Sequence, residues 1–422
     1  MKILHVADLH LDSPFRGMGR HHQSIQKHLI QAPYQAFERC VSIAINQSVD
    51  VFIVVGDVYD ADRQTIYAQN FFMKQLVRLD KAGIQVILNH GNHDFLKPDK
   101  KRPQYPEKVY VFNNEEVEHY DVTLSDNNTV RFYGFSYLQR WVKERMIQRY
   151  PKNPRDTDFT IGLLHGSAEG ISSSEGNYAP FSIQELLSKQ YDYWALGHIH
   201  QAQVLNDSPL IQYSGTIQGR HRNETGDKGA FIVEIDKNKP VVSEFISLAP
   251  IVWQNAHIDC SEEWQSSDVV TQIEQVIQNY QSEAEASLQS QILTLTLTNA
   301  QRLGQELQEQ IEKGELAFAL ETSQTELPFV HVASLRITSN IALDAFQYDE
   351  ALNQSFHEAS EDLEKGHAYE DIMSDIFQHP IIQKWLPEFQ EDIRMKQDII
   401  KSSQQLMIQT IGFEAKEVTH ED

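Results

Sequence analysis

Along the first 250 residues, short apolar runs recur between polar segments, and several are apolar at every position. VFIVV at 51–55 and IQVIL at 84–88 are examples, and such runs are typical of strands covered on both faces. Helical patterns lie between the early runs, at 33–46 and 66–82, and the second ends at Gly83. This alternation predicts α/β layers. The predicted strands are 2–6, 51–55, 84–88, 109–112, 130–135, 159–164, 193–196, 211–213 and 230–235.

The pattern changes after residue 250. Strict alternation at 291–298 and 329–337 predicts half-buried strands, and the patterns at 268–280 and 302–312 predict helices, so a small β-α-β-α-β domain is expected. From Leu343 the pattern is helical, with an apolar stripe on a late helix. The stripe consists of Ile381, Trp385, Phe389, Ile393 and Ile400. We therefore predict three domains: 1–250, a small α/β domain at 251–340, and a helical tail at 341–422.

Composition supports a globular protein. Hydrophobic residues make up 41% of the 422 positions and charged residues 23%. With two cysteines, Cys40 and Cys260, a disulfide framework and a cysteine zinc finger are both excluded. No apolar run approaches the ~18 residues of a membrane span, and His5 and Asp8 interrupt the opening apolar segment, unlike a signal peptide. We expect a cytoplasmic protein without a membrane partner.

The net charge of −24 is unevenly distributed. The three predicted domains carry about −2, −10 and −12 in chain order. Because the local field decides whether a polyanion is attracted, the acidic charge argues against DNA contact by the last two domains. It leaves DNA contact by the first domain open.

Five polar segments each directly follow a predicted strand. They are DLH at 8–10, GDVYD at 56–60, GNHD at 91–94, HG at 165–166 and GHIH at 197–200. In open α/β sheets, ligands bind beyond the carboxyl ends of the strands, so these segments are expected to meet at one crevice. Each segment alone is a weak signal, and the ordered set of five is the strong one.

The side chains in these segments are metal ligands by type. Carboxylate, imidazole and carboxamide donors without a thiol suit Mn²⁺, Fe²⁺ or Zn²⁺. The candidate ligands are Asp8, His10, Asp57, Asn92, His165, His198 and His200. Seven donors suit two ions better than one, and a carboxylate such as Asp57 can bridge them. Two divalent ions would outweigh the two carboxylates, attract a phosphate and make hydroxide available near neutral pH.

Two further residues are candidates for catalysis. His93 lies next to Asn92 and outside the ligand count, so it is expected to stabilise the reacting phosphate or to protonate the leaving oxygen. Asp94 is expected to orient His93, as carboxylates outside the ligand set orient histidines.

The ordered segments resemble those of the calcineurin-like metallophosphoesterase superfamily. The resemblance implies a four-layered α/β/β/α sandwich with a dinuclear centre at the strand ends. In this pattern one metal is held by Asp8, His10, Asp57 and His200, the other by Asp57, Asn92, His165 and His198, and His93 is the catalytic histidine. Manganese is the expected metal, with iron or zinc as alternatives. The motifs cover residues 1–250.

Three longer stretches are similar to the SbcD-type DNA repair exonucleases, including their bacterial YhaO-like members. These are KILHVADLHLDSPF, YDYWALGHIHQAQV and YSGTIQGR. The resemblance implies a cap domain that helps to recognise DNA, a tail that docks on an SMC-type ATPase of the SbcC-like or YhaN-like kind, and a homodimer. Asp60 stands where some members have histidine, and the acidic cap departs from a DNA-binding surface and suits a basic partner.

A basic segment at 131–155 is a second candidate for DNA contact. Its candidate contacts are Arg140, Lys143, Arg145 and Arg149, with Trp141 and Tyr150 interleaved, and Lys100, Lys101 and Arg102 form a shorter cluster. Cations at such positions contact phosphates in nucleic-acid complexes. The alternative is a solvated helix face, which is the usual structure of a charge run.

These observations favour a metal-dependent DNA phosphodiesterase, an exonuclease or endonuclease working with an SMC-type ATPase. Two alternatives stay open. The first is a small-molecule phosphoesterase, for example one acting on cyclic nucleotides, although the 170 residues beyond the core argue against it. The second is a non-catalytic member of an ATPase complex, which would not require seven donors in register.

Overall fold

The computed structural model of the chain describes residues 1–13, 23–60, 64–97, 103–170, 177–260, 264–314, 316, 326–338, 350–379, 382 and 393–411. Its strands are β1 (Lys2–Ala7), β2 (Val51–Val55), β3 (Gln85–Asn89), β4 (Val109–Val111), β5 (Glu118–Thr123), β6 (Thr129–Gly134), β7 (Phe159–His165), β8 (Tyr193–Gly197), β9 (Gln203–Asp207), β10 (Leu210–Tyr213), β11 (Gly229–Asp236), β12 (Lys239–Ser247), β13 (Ile251–Asp259), β14 (Ser290–Thr298) and β15 (Val330–Thr338). Its helices are α1 (Gln23–Asn46), α2 (Ile66–Lys81), α3 (Ile183–Ser188), α4 (Ser266–Ser287), α5 (Gln305–Glu312), α6 (Glu350–Lys365), α7 (Ala368–Phe377) and α8 (Ile393–Ile411). All nine strands predicted in the first 250 residues are confirmed, as is the order β-α-β-α-β from β13 to β15.

Two six-stranded sheets form the first part of the chain. One has the order β12-β11-β1-β2-β3-β4 and the other β5-β6-β7-β8-β10-β9. The neighbours β1, β2 and β3 run parallel, and so do β7 and β8. Parallel strands place their carboxyl ends at the same edge, and this arrangement positions the five polar segments.

The apolar faces of the two sheets explain the layering. Val51 and Ile53 of β2 pack with Ile161 of β7 in a core between the sheets, whereas Phe52 and Val54 face α1 and α2 on the outer side. On the other outer side, Trp194 of β8 packs with residues that include Leu186 of α3. Strands β2 and β8 are therefore covered on both faces, as their continuous apolar runs indicate, and the fold is the expected four-layered α/β/β/α sandwich.

Helix α1 begins at Gln23 and not at residue 33, so the predicted start of this helix was wrong. Pro33 lies inside the helix and is buried. The added turns are stabilised because Ile25 and Leu29 are buried against Ile251 and Trp253 of β13. A partner more than 200 residues away decides this boundary, so local sequence signals miss it.

The chain divides into two compact units. The first comprises 1–256, 274–295 and 317–334, and the second comprises 257–273, 296–316 and 335–422. Strands β13, β14 and β15 form a three-stranded sheet in that order. The predicted domain limits at 250 and 340 remain predictions.

In the second unit, the described residues after β15 include helices α6, α7 and α8. Ile400 of α8 is buried with Tyr369 and Phe377 of α7, and Lys396 forms an ion pair of 2.8 Å with Glu370. Of the predicted apolar stripe, Ile381, Trp385 and Phe389 lie outside the described residues. Within the described part of the chain, no helix combines the length and apolar character needed to cross a membrane.

Candidate metal centre

The five polar segments meet at one edge of the sandwich in the first unit. They follow β1, β2, β3, β7 and β8, whose carboxyl ends lie together. The seven predicted ligands, Asp8, His10, Asp57, Asn92, His165, His198 and His200, are all buried there. The structure therefore brings together every ligand candidate taken from the motifs.

The backbone at these strand ends is unusual. Asp8, His10, Asp57 and His198 have φ values of 51°, 42°, 49° and 100°. Residues with a side chain rarely adopt this left-handed region, which costs roughly 1–2 kcal/mol each. Hydrogen bonds between the loops hold the geometry, because the Asp8 and His10 amides donate to Gly56 O and Asp57 O at 3.2 and 3.0 Å. Strain concentrated at one buried cluster is typical of a functional site.

One part of the cluster, which we call the His10 half, consists of Asp8, His10 and His200. The Nε2 atoms of the two histidines lie 3.0 Å apart. Their other ring nitrogens face carboxylates: His200 Nδ1 lies 2.7 Å from Glu224 Oε1, and His10 Nδ1 lies 3.1 Å from Asp60 Oδ1. A proton on each Nδ1 leaves two lone pairs facing each other, an arrangement that a cation stabilises.

The other part, the His165 half, consists of Asn92, His165 and His198. His165 Nδ1 lies 3.1 Å from the Val55 carbonyl, which can only accept a hydrogen bond, and His165 Nε2 lies 2.9 Å from Asn92 Oδ1. The His198 ring lies 5.3 Å from the His165 ring, centroid to centroid, and the His198 amide donates to Asp8 Oδ2 at 3.0 Å. Donor atoms from separate loops thus converge here as well.

Asp57 joins the two halves. Its Oδ2 atom lies 3.9 Å from His10 Nε2 and 3.4 Å from His165 Nε2, while Oδ1 accepts a hydrogen bond of 2.9 Å from the His93 amide. One carboxylate oxygen between two imidazole sets is the arrangement that a bridging ligand requires.

Glycines at Gly56 and Gly91 help to leave room for this cluster. A Cβ atom on Gly91 would lie 2.3 Å from Asp57 Oδ1 and 2.6 Å from His165 Nε2. On Gly56 it would lie 2.3 Å from His165 Nδ1. The donor types, the facing lone pairs and the glycine-lined space together fit a pair of divalent cations.

Burial and neighbouring charges shift the pKa values of the groups in the centre in different directions. Burial raises the pKa of Asp8 to about 6, against the opposing effect of His165 and His200. Burial lowers the pKa of His10 to about 4, and Arg220 adds to this. Burial also opposes protonation of His165, but the Asp57 and Asp8 carboxylates raise its pKa to about 9. The carboxylates therefore favour positive charge between the strand ends.

The predicted pairing of His93 with Asp94 was wrong. His93 Nδ1 lies 2.7 Å from the backbone carbonyl of Asp60, which orients the ring, and the His93 ring lies 5.0 Å from the His10 ring. The Asp94 carboxylate instead accepts from the amides of Gly91, Val58 and Asp57 at 2.7, 2.9 and 3.2 Å and contacts His90 Nδ1 at 3.0 Å. Asp94 is buried. It connects the loop after β2 with the loop after β3, because it accepts hydrogen bonds from backbone amides of both loops.

Two of the charged groups behind the His10 half, Arg220 and Glu224, were not predicted from the sequence. Asp60, Arg220 and Glu224 are largely buried, and Arg220 Nη1 donates to Asp60 Oδ1 at 2.6 Å. An acidic residue after the last histidine motif was the available signal.

Two of the predicted DNA-contacting cations are engaged in ion pairs. Arg145 pairs with Glu169 and Glu185, and Arg149 pairs with Glu144 and Glu116. Arg140 is exposed, with its guanidinium 5.5 Å from the Trp141 ring centroid, and Lys143 is exposed. Lys100, Lys101 and Arg102 lie outside the described residues. The field of this segment is therefore weaker than its basic sequence indicates.

Comparison with known proteins bears on the same part of the chain. Residues 1–202 match the family model described as calcineurin-like phosphoesterase. An uncharacterized metallophosphoesterase, YhaO, of Bacillus subtilis is 36% identical over 265 residues, which cover 62% of this chain and 64% of that protein.

More distant relatives carry names that refer to DNA or to nuclease activity. The DNA double-strand break repair protein Mre11 of Sulfurisphaera tokodaii is 27% identical over 58% of this chain and 62% of its own length. The SbcD component of the nuclease SbcCD of Staphylococcus epidermidis is 25% identical over 60% of this chain and 70% of its own length. The match to YhaO and Mre11 spans less than two thirds of their lengths. Together with the donor cluster at the strand ends, these matches show that residues 1–202 are similar to the calcineurin-like phosphoesterase family.

Proposed function

We propose that this chain is a metal-dependent phosphodiesterase that hydrolyses DNA. The observation that carries the proposal is the pair of converging donor sets joined by Asp57 Oδ2, in a domain whose relatives include proteins named for DNA break repair and nuclease activity. The ligands are Asp8, His10, Asp57, Asn92, His165, His198 and His200, and manganese is the proposed metal. When bound, two divalent ions supply charge for the phosphate and an acidic water.

The residues of the chain divide the remaining work. Because the Asp60 carbonyl can only accept a hydrogen bond, His93 Nδ1 carries a hydrogen. When Nε2 is protonated as well, the ring can give that second proton to the leaving oxygen and become neutral. The Asp57 carboxylate holds the His93 amide at 2.9 Å, so the histidine and the bridging ligand are coupled in position. His93 is thereby fixed beside the centre, where its ring lies within reach of His10 and Asp60.

We further propose that the chain acts as a homodimer with an SMC-type ATPase in the cytoplasm. The relative from the nuclease SbcCD is by its name one component of a larger nuclease, and the acidic residues 251–422 suit a basic partner surface. Light scattering of the purified chain alone gives the mass of the proposed dimer. Light scattering after mixing with a candidate ATPase tests the partnership. Separate elution of the two proteins would contradict the partnership.

The small-molecule alternative has one observation in its favour. Arg145 and Arg149, which would otherwise attract a DNA backbone, are neutralised by carboxylates. Parallel assays decide between the two: Mn²⁺-dependent hydrolysis of linear duplex DNA and of an aryl phosphodiester, each with a chelator control. Cleavage of both supports the nuclease. Cleavage of the aryl diester alone, even after addition of the ATPase, favours a small substrate.

The role of His93 can be tested in the same assays. Replacing it by asparagine removes the imidazole, and we expect hydrolysis to fall about 100-fold or more, the usual range for general acid catalysis, while Mn²⁺ binding is retained. His119→Asn, on the exposed edge strand β5, is the matched control. Unchanged turnover in His93→Asn would rule out the catalytic assignment.

A further inference from the structure

A short turn after β10 places two charged residues behind the His10 half. The Glu224 amide donates to His221 O at 2.9 Å, and the Arg220 amide donates to Glu224 Oε2 at 2.6 Å. The Glu224 side chain is 8% exposed and that of Arg220 is 10% exposed. A buried carboxylate and a buried guanidinium are costly unless they serve each other or a site.

Glu224 determines which nitrogen of His200 carries the proton. Its Oε1 atom lies 2.7 Å from His200 Nδ1, and a carboxylate can only accept. Arg220 Nη2 also lies 3.0 Å from that nitrogen, but the carboxylate is nearer and its negative charge favours a proton on Nδ1. His200 Nε2 is then left with its lone pair, 3.0 Å from His10 Nε2.

Arg220 binds two carboxylates at the same time. Its Nη1 donates to Asp60 Oδ1 at 2.6 Å and its Nη2 donates to Glu224 Oε1 at 3.2 Å. Asp60 faces His10 and Glu224 faces His200. One guanidinium thus binds the carboxylates that face both imidazoles, and two carboxylates against one guanidinium leave a net negative charge behind them.

The His165 half is backed differently. The nitrogen of His165 that points away from Asn92 faces the neutral carbonyl of Val55 at 3.1 Å. A carboxylate acceptor makes an imidazole more basic and a better ligand than a neutral carbonyl does. His165 and His200 therefore differ in the group that supports them, although the donor types of the two halves are similar.

We propose that Glu224 and Arg220 are positioning residues that selectively set the affinity of the His10 half for its metal ion. The inference rests on the proposed function, since it requires a pair of cations at the strand ends. Glu224 presents the Nε2 lone pair of His200 to the ion, and Arg220 keeps Glu224 and Asp60 in place.

The test is to measure Mn²⁺ binding by the full chain, with titration calorimetry and with the electron paramagnetic resonance signal of free Mn²⁺. Wild type is expected to bind two ions. Glu224→Gln is expected to weaken one of them about 10–100-fold, the range for a lost partner of a metal-bound histidine, and to leave the other unchanged. Glu244→Gln, at an exposed position of β12, is the matched control. Arg220→Lys keeps the positive charge but cannot donate to Asp60 and Glu224 from two separate guanidinium nitrogens. We expect a smaller loss of affinity for the same ion.

Near-UV circular dichroism in chelator establishes that each variant is folded, and Arg220→Lys carries the test if Glu224→Gln is not. A folded variant that binds both ions as wild type does, or that loses both equally, overturns the inference. A wild type that binds fewer than two ions contradicts the proposed function itself and removes the selectivity with it. Two ions in wild type with selective loss of one supports both.

Discussion

The two halves of the metal centre reach similar chemistry by different means. In the His10 half, charged side chains from Asp60, Arg220 and Glu224 stand behind the histidines. In the His165 half, main-chain groups and glycines do so: Val55 O faces His165, and Gly56 and Gly91 leave the space that the ring occupies. The difference teaches that one half depends on side-chain charge and the other on how closely two loops approach.

The strongest way to break this comparison is a methyl group in the His165 half. In Gly91→Ala the new Cβ would overlap Asp57 Oδ1 and His165 Nε2. A displacement of about 1 Å at a reacting group costs on the order of 100-fold, so we expect at least that loss in kcat/KM for an aryl phosphodiester, with weaker Mn²⁺ binding. Gly304→Ala, where a Cβ meets no atom within 4 Å, is the control, and equal activity of the two variants would contradict the argument.

A second variant loosens the same half without adding bulk. Asp94→Asn replaces a carboxylate that accepts from the amides of Gly91, Val58 and Asp57 by a group that also carries donors. We expect the free energy of unfolding to fall by about 1–3 kcal/mol and hydrolysis to fall about tenfold. Denaturant unfolding and the diester assay measure these changes. Asp80→Asn is the control, because Asp80 accepts from one backbone amide, that of Lys108. We expect smaller losses of unfolding free energy and of hydrolysis in this variant.

A third test, with the smallest expected effect, sharpens the comparison from outside the centre. His5 and His165 are both fully buried, yet burial lowers the pKa of His5 to about 3, whereas carboxylates raise that of His165 to about 9. His5 of the unfolded chain binds a proton near pH 6.5, whereas folded His5 does not bind one until about pH 3. The contribution of neutral His5 to the free energy of unfolding is therefore fully present above pH 6.5. Below that pH it falls by up to about 1.4 kcal/mol per pH unit, towards pH 3.

His5→Gln should flatten this acid dependence while keeping a hydrogen-bonding group near the Tyr193 hydroxyl, which lies 2.7 Å from His5 Nδ1. Denaturant unfolding at pH 7 and pH 5 provides the measurement. An unchanged difference in stability between the two pH values would mean that His5 is not a source of the acid sensitivity.

Much of the fold was accessible from local pattern. Apolar runs such as 51–55 predict strands covered on both faces, and the strands form as expected. The weaker edge strands β5, β9 and β12 were missed, because their alternation is mixed with charged and polar residues. The start of α1 was also missed, since its packing partners lie in β13.

The amino-acid sequence by itself indicated which side chains converge at the strand ends, because each lies at or directly after the end of a strand and parallel neighbours in a sheet end at the same edge. It did not determine what supports those donors. Arg220 and Asp60 lie 160 positions apart, and Arg145 and Glu185 lie 40 apart, so only the tertiary structure decides that these charges pair. Local periodicity records which face of a strand or helix is buried, whereas the partner of a charge depends on distances that exist only after the sheets have packed.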